Sequence, residues 1–109
     1  MNENLIDELK SRLDITWKND ITDTRLTNII KNSIPKINRI IGITLSDADY
    51  MNKDYTEELE LLLNYCMYAW ENKTEFFKQN YFDDIMSLQQ KHEVENYRSE
   101  INKEGTENG

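Results

Sequence analysis

Apolar residues recur at helical spacing through most of this chain of 109 residues. Four of them predict a first helix over residues 3–14: Leu5, Ile6, Leu9 and Leu13. A second helix is predicted from Thr22, which has an N-capping side chain, to Gly42, which favours the position just after a helix. Its core-facing stripe is rich in isoleucine: Leu26, Ile29, Ile30, Ile34, Ile37, Ile40 and Ile41.

Two local features refine the second helix. Ile21 and Leu26 have the spacing of a hydrophobic staple around the Thr22 cap. Pro35 lies opposite the apolar stripe, so the carbonyl that loses its hydrogen bond faces water. We therefore expect a bend at Pro35 and no break. Residues 43–54 are predicted to be a connector, in which Ser46 and Asp49 cap one short turn.

A third helix is predicted over residues 55–71, because Asp54 and Glu57 have capping-box spacing. One face of this helix is apolar: Leu59, Leu62, Leu63, Cys66, Met67 and Trp70. A second apolar stripe lies on nearly the opposite side: Leu61, Tyr65 and Tyr68. A helix with two apolar faces needs two partners.

A fourth helix is predicted to follow residues 72–74 and to end at about residue 95. Its core face is marked by Phe77, Tyr81, Ile85, Leu88 and His92. Three apolar residues are left on another face: Phe76, Phe82 and Met86. The pattern thus predicts an all-α fold, a small bundle of about four helices with a short connector turn. Residues 1–96 form the helical domain and residues 97–109 a flexible polar tail.

Charge is unevenly distributed along the chain. The net charge is −8, but residues 1–45 carry +1 and residues 46–109 carry −9. Four cations lie opposite the apolar stripe of the second helix: Arg25, Lys31, Lys36 and Arg39. Such a face could contact nucleic-acid phosphates, could simply be solvated, or could meet an acidic neighbour. The sign asymmetry favours the acidic neighbour, because complementary patches guide association between subunits.

No group of residues points to catalysis, a metal or a cofactor. His92 is the sole histidine and lacks the second histidine of a zinc motif, so it is interpreted as a residue at the edge of the core. Cys66 is interpreted as a buried structural thiol. The pairs Glu57-Glu58 and Asp83-Asp84 are interpreted as solvated, because neighbours on a helix diverge by about 100°. The protein is therefore not expected to be an enzyme.

Aromatic residues are concentrated in one stretch, and a domain of this size cannot bury them all. The surplus is expected to form a protein interface. Together with the basic face, the predicted interface consists of Arg25, Lys31, Lys36, Arg39, Leu61, Tyr65, Tyr68, Phe76, Phe82 and Met86.

Three stretches carry a family resemblance: ELELLLNYCMYA at residues 58–69, EFFKQNY at 75–81 and IMSLQ at 85–89. With the opening helix, the capped isoleucine-rich helix and the Ile41-Gly42-Ile43 step, they resemble the head–tail connector proteins of long-tailed bacteriophages. The resemblance covers roughly residues 3–95. It rests on helices and aromatic positions and includes no catalytic signature.

The resemblance implies a ring of twelve subunits beneath the portal protein. Such a ring would extend the DNA channel and dock the tail through a tail-side completion protein. DNA would pass through without sequence-specific binding, and the acidic balance suits a wall that does not retain it. The N-terminus has no signal-peptide pattern. No apolar stretch in the sequence is long enough to span a membrane. We therefore expect synthesis in the host cytoplasm and a final place in the virion. The alternative is a small helical regulator that binds another protein or DNA.

Overall fold

A computed structural model describes the backbone of residues 3–108 and the side chains of residues 3–98. Every regular element in that part of the chain is helical. The α-helices are α1 (Glu3–Arg12), α2 (Asp20–Ile41), α3 (Asp47–Tyr50), α4 (Thr56–Trp70), α5 (Phe77–Asn80) and α6 (Phe82–Asn108). Short 3₁₀ turns, Lys53–Tyr55 and Thr74–Phe76, precede α4 and α5. No helix within the described residues has the length and apolar character that crossing a membrane requires.

Helix α2 is the central element and packs against α1, α4 and α6. The predicted stripe is correct, since Leu26, Ile30, Ile37 and Ile41 are almost fully buried. Each buried residue of this kind stabilises the fold by about 1.5–3 kcal/mol. The helix continues through Pro35, which is exposed, so the expectation of no break is confirmed.

The predicted start of α2 was wrong by three residues. Asn19 is the N-cap, and its side chain accepts a hydrogen bond from the Thr22 backbone N–H at 3.1 Å. Thr22 therefore lies inside the first turn. Ile21 is 82% exposed and cannot form the predicted staple with Leu26. The short turn is as predicted, with reciprocal capping hydrogen bonds between Ser46 and Asp49.

Three helices end with the same backbone device, a residue in the left-handed conformation. These residues are Asp14 (φ 58°), Gly42 (φ 76°) and Asn72 (φ 60°). In each case the next residue donates its backbone N–H to a carbonyl five residues earlier: Ile15 to Lys10, Ile43 to Asn38 and Lys73 to Tyr68, at 2.8–2.9 Å. This motif satisfies the last carbonyls and reverses the chain. Only Gly42 was predicted, because glycine alone adopts this conformation without strain.

Helix α4 begins without the predicted capping box. Its N-cap position, Tyr55, makes no side-chain hydrogen bond, and Asp54 lies in the preceding 3₁₀ turn capped by Asn52. The helix is buried on both predicted stripes, with Leu62, Leu63 and Cys66 on one side and Leu61 and Tyr65 on the other.

The second partner of α4 comes from the same chain. The predicted fourth helix is interrupted, so α5 is a single turn that places Phe77 against α4. The rings of Tyr65 and Phe77 are 4.9 Å apart edge to face, and those of Phe77 and Tyr81 stack at 4.8 Å. Tyr68 joins them edge to face with Phe77 at 5.6 Å. This aromatic cluster holds α5 and the start of α6 against α4.

Helix α6 runs past the predicted end at residue 95 and is helical to Asn108. Its predicted core face is confirmed, because Ile85, Leu88 and His92 are buried. Beyond His92, each residue from 93 to 98 is exposed. The backbone of the predicted tail is therefore helical to residue 108. Its side chains from residue 99, and all of Gly109, lie outside the described part of the chain.

Candidate functional site

A groove lies between the second half of α2 and the α5 turn. Its volume is about 460 Å³. The rim carries Lys36 and Arg39 from α2 and Lys78 from α5, all three exposed. The floor is formed by Ile40, Tyr65 and Phe77, and the lining is completed by Thr74 and Glu75. We call this surface the basic groove.

The cations of the basic groove are available to a partner. None of Lys36, Arg39 and Lys78 forms an ion pair with another described side chain. Three cations against the single Glu75 carboxylate give the groove a positive balance. A cleft that focuses one sign of charge attracts an anionic ligand. Lys36 and Arg39 were predicted from the sequence, whereas Lys78 reaches the groove only because the chain turns at α5.

Arg25 has a different role from the other cations of α2. Its guanidinium lies 4.1 Å from the centroid of the Trp70 ring and donates a hydrogen bond of 2.8 Å to the Trp70 carbonyl. Arg25 therefore ties the end of α4 to α2 inside the chain, and its part in an interface stays a prediction. Lys31 is exposed as predicted but does not line the basic groove.

Three predicted interface residues are engaged within the chain. Leu61 is 3% and Tyr65 8% exposed, because α5 and α6 cover this side of α4. Tyr68 packs against Phe77 and accepts a hydrogen bond from the Asn80 amide at 2.9 Å. These residues were predicted to be surplus because the sequence pattern did not reveal the α5 turn that covers them. Leu61 and Tyr65 reach a groove only as its floor.

The other predicted apolar residues are exposed. Phe76 is 50%, Phe82 59% and Met86 38% exposed. Phe82 and Met86 lie four residues apart, so they share one face of α6. Single exposed apolar residues are common, but a pair of large ones on one helix face fits a protein contact.

A second groove, between α4 and α6, carries the opposite charge. Its volume is about 220 Å³, and Glu57, Glu60 and Asp84 provide its carboxylates. Glu60 is paired with Arg12, whose guanidinium lowers the pKa of that carboxyl through a hydrogen bond. Glu57 and Asp84 have no ion pair with a described side chain. The two signs of charge are thus separated on different surfaces of the monomer.

A buried ionic cluster joins α4 to α6. Glu58 is fully buried, so its interpretation as a solvated residue was wrong. Its carboxylate accepts a hydrogen bond of 2.9 Å from the Lys91 ammonium, which raises the pKa of Lys91. His92 Nε2 lies 3.8 Å from the same carboxylate oxygen, and His92 Nδ1 lies 3.3 Å from Glu95. A sequence signal for this burial existed, because Glu58 precedes Leu61 and Leu62 by three and four residues.

The one cysteine of the chain lies in the core. Cys66 is fully buried as predicted, and burial raises the pKa of its thiol to about 12. Among the described residues, no three His, Cys, Asp or Glu side chains are grouped to hold a metal ion. We take the basic groove, with the three cations on its rim, as the candidate functional site.

No protein-family model, curated protein or solved structure matches the chain.

Proposed function

We propose that this protein is a structural subunit that assembles head to tail with copies of itself, as the ring subunit of a phage head–tail connector. One observation carries the proposal. The basic groove presents Lys36, Arg39 and Lys78, the α4–α6 side presents the carboxylates of Glu57 and Asp84, and none of the five forms an ion pair with a side chain that the structure describes.

Two different complementary surfaces on one chain favour a heterologous contact. Copies that meet through unlike surfaces form a ring if the rotation closes. Charged contacts of this kind set encounter and register more than affinity. The exposed Phe76, Phe82 and Met86 supply apolar area for binding energy.

The connector assignment itself rests on the sequence resemblance over residues 58–69, 75–81 and 85–89. Those stretches form most of α4, the α5 turn and part of α6. They supply most of the lining of the α4–α6 groove and, together with α2, the lining of the basic groove. In this role the ring would lie beneath the portal, extend the DNA channel and dock the tail. The subunit's partners would be further copies of itself, the portal protein and a tail-side completion protein.

The decisive experiment compares infected cells that supply wild-type protein with cells that supply Lys36→Glu/Arg39→Glu. Both residues are exposed, so the monomer should keep its helical spectrum and its melting temperature. We expect the double reversal to yield heads without tails. Normal particles at wild-type yield would show that the basic groove is only a solvated surface.

The alternative, a regulator that binds DNA through α2, makes a different prediction. Binding to DNA would appear as a mobility shift of a duplex that weakens steeply with salt. The net charge of −8 opposes such binding. A salt-sensitive shift that requires Lys36 and Arg39, with no self-association, would favour the regulator over the connector.

A further inference from the structure

The basic groove contains a tyrosine hydroxyl that makes no hydrogen bond with any described residue. Tyr65 lines the groove and is only 8% exposed, yet its hydroxyl has no partner in that part of the chain. Tyr50, by contrast, donates its hydroxyl to Asn38 at 2.6 Å. Tyr68 accepts a hydrogen bond from the Asn80 amide at 2.9 Å. Since tyrosine hydroxyls in the interior of a protein ordinarily find a partner, the Tyr65 hydroxyl points to a ligand in the groove.

The side chains that line the basic groove sum to a charge of +2. Three positive charges come from Lys36, Arg39 and Lys78, and one negative charge comes from a carboxylate, that of Glu75. None of the three cations forms an ion pair with a described side chain. This holds for Arg39 although it also lines an adjoining groove together with Glu93. The positive charge is therefore not cancelled within the described part of the chain.

We propose that the basic groove binds a terminal phosphate group, either free phosphate or the phosphate of a small ester. A phosphate monoester carries about −1.5 to −2 charges at neutral pH and three acceptor oxygens, which matches a lining of charge +2. Guanidinium and ammonium groups are common phosphate ligands. A single carboxylate, or one phosphodiester of a nucleic acid, carries one negative charge and would leave half of this lining unmatched.

The groove has room for an ester as well as for the free anion. Its volume of about 460 Å³ lies within the roughly 300–1,000 Å³ of small-molecule sites. Lys36 and Arg39 lie three residues apart on α2 and so share one side of the groove, whereas Lys78 comes from α5. In the proposed complex the phosphate accepts hydrogen bonds from these two sides and from the Tyr65 hydroxyl of α4.

The same cations belong to the subunit contact proposed above, so bound phosphate should compete with the next copy of the chain. This consequence rests on the proposed function. Phosphate binding itself does not, because one monomer contains the complete groove. Phosphate should therefore shift the wild-type protein toward the monomer more strongly than chloride does at the same ionic strength.

Titration of the full chain with sodium phosphate, followed by backbone amide NMR shifts in a low-salt buffer, tests the binding. We expect saturable shifts around the groove, and none with sodium chloride or sodium acetate at equal ionic strength. Lys36→Glu/Arg39→Glu should abolish the binding. Tyr65→Phe should weaken it about tenfold, because it removes one hydrogen bond to a charged group.

Two controls separate a ligand contact from a structural effect. Tyr65→Phe removes a hydroxyl that has no described partner, so the melting temperature should stay at the wild-type value. Lys53→Gln removes an exposed cation that does not line the groove and should bind phosphate as wild type does. Adenosine monophosphate in place of phosphate separates the two sources. Tighter saturable binding shows that an ester is the ligand, and equal or weaker binding shows that the free anion is.

Contrary outcomes are distinguishable. Shifts that do not saturate, or that chloride reproduces, overturn the phosphate site. An affinity unchanged by both Tyr65→Phe and Lys36→Glu/Arg39→Glu also overturns it, and binding of a DNA duplex without any response to phosphate would favour the regulator. Sedimentation of wild type in phosphate and in chloride tests the competition. Saturable binding by a protein that is monomeric at every concentration would contradict self-assembly and leave the phosphate site standing.

Discussion

The Arg25 guanidinium lies over the Trp70 ring, 4.1 Å from its centroid, and donates a hydrogen bond to the Trp70 carbonyl. One side chain of α2 thus holds the C-terminal end of α4. The planar guanidinium can lie against the ring while its N–H groups donate at the edge, a geometry that suits the compact ammonium of lysine less well. Arg25 therefore stabilises the monomer, whereas Lys36 and Arg39 on the same helix make no ion pair with any described side chain.

Arg25→Ala should lower the free energy of unfolding by about 1–2 kcal/mol, because it removes a cation–π contact and a charged hydrogen bond. Arg25→Lys should recover only part of this. Urea denaturation of the two variants beside Lys31→Ala, an exposed α2 cation outside the groove, measures the difference. Blocked assembly with unchanged stability would instead place Arg25 in the interface.

Two isoleucines of α2, one buried and one exposed, allow a matched test of the core. Ile30 is fully buried and Ile21 is 82% exposed. Ile30→Asp should unfold the monomer, because an unpaired buried charge costs several kcal/mol against a total stability of about 5–15 kcal/mol. Leu62→Asp should do the same on α4. Ile21→Asp should melt within a few degrees of wild type by circular dichroism, and a cooperative melt of Ile30→Asp near that temperature would refute the described core.

The Glu58–Lys91 pair should be more sensitive to the loss of one partner than to the loss of both. Lys91→Met leaves the fully buried Glu58 without its cation and should cost about 3 kcal/mol. The double change Glu58→Leu/Lys91→Met removes both charges and should be closer to wild type. A double-mutant cycle in urea gives the coupling energy, and additive single effects would show that the pair is not coupled.

Ionisation of the buried Cys66 thiol should lower the free energy of unfolding at alkaline pH. Its pKa of about 12 lies above the value of about 8.5 for an exposed thiol. The buried neutral thiol therefore makes its full contribution to the free energy of unfolding below about pH 8.5. That contribution is lost as the pH rises toward 12. Cys66→Ala should show a shallower loss of stability between pH 8.5 and 11. In the wild type, a thiol reagent at pH 8 should react only as fast as the protein unfolds; rapid stoichiometric labelling would contradict the burial.

Sequence periodicity predicted the elements that are determined by local sequence, without knowledge of the segments they pack against. The α2 stripe, the Gly42 stop and the Ser46–Asp49 turn follow from spacing and local capping alone. The true cap at Asn19 was missed because Thr22 is an equally good local candidate three residues later.

Features that depend on tertiary contacts were not predictable in the same way. Glu58 was expected in solvent because its partners, Lys91 and His92, come from a helix more than thirty residues away. Leu61, Tyr65 and Tyr68 were expected at an interface because the interruption that forms α5 left no clear breaker in the sequence. For the candidate site, Lys36 and Arg39 were predicted, but the groove exists only because α5 brings Lys78 and Phe77 opposite them.

Self-assembly is the central claim, and the mass of the wild-type protein in solution at high concentration tests it most directly. Sedimentation combined with negative-stain imaging should reveal closed rings, and raising the salt concentration should shift them toward the monomer, because charge pairs guide the contact. A single monomeric species at all concentrations and salt levels, with no rings in the images, would contradict the account.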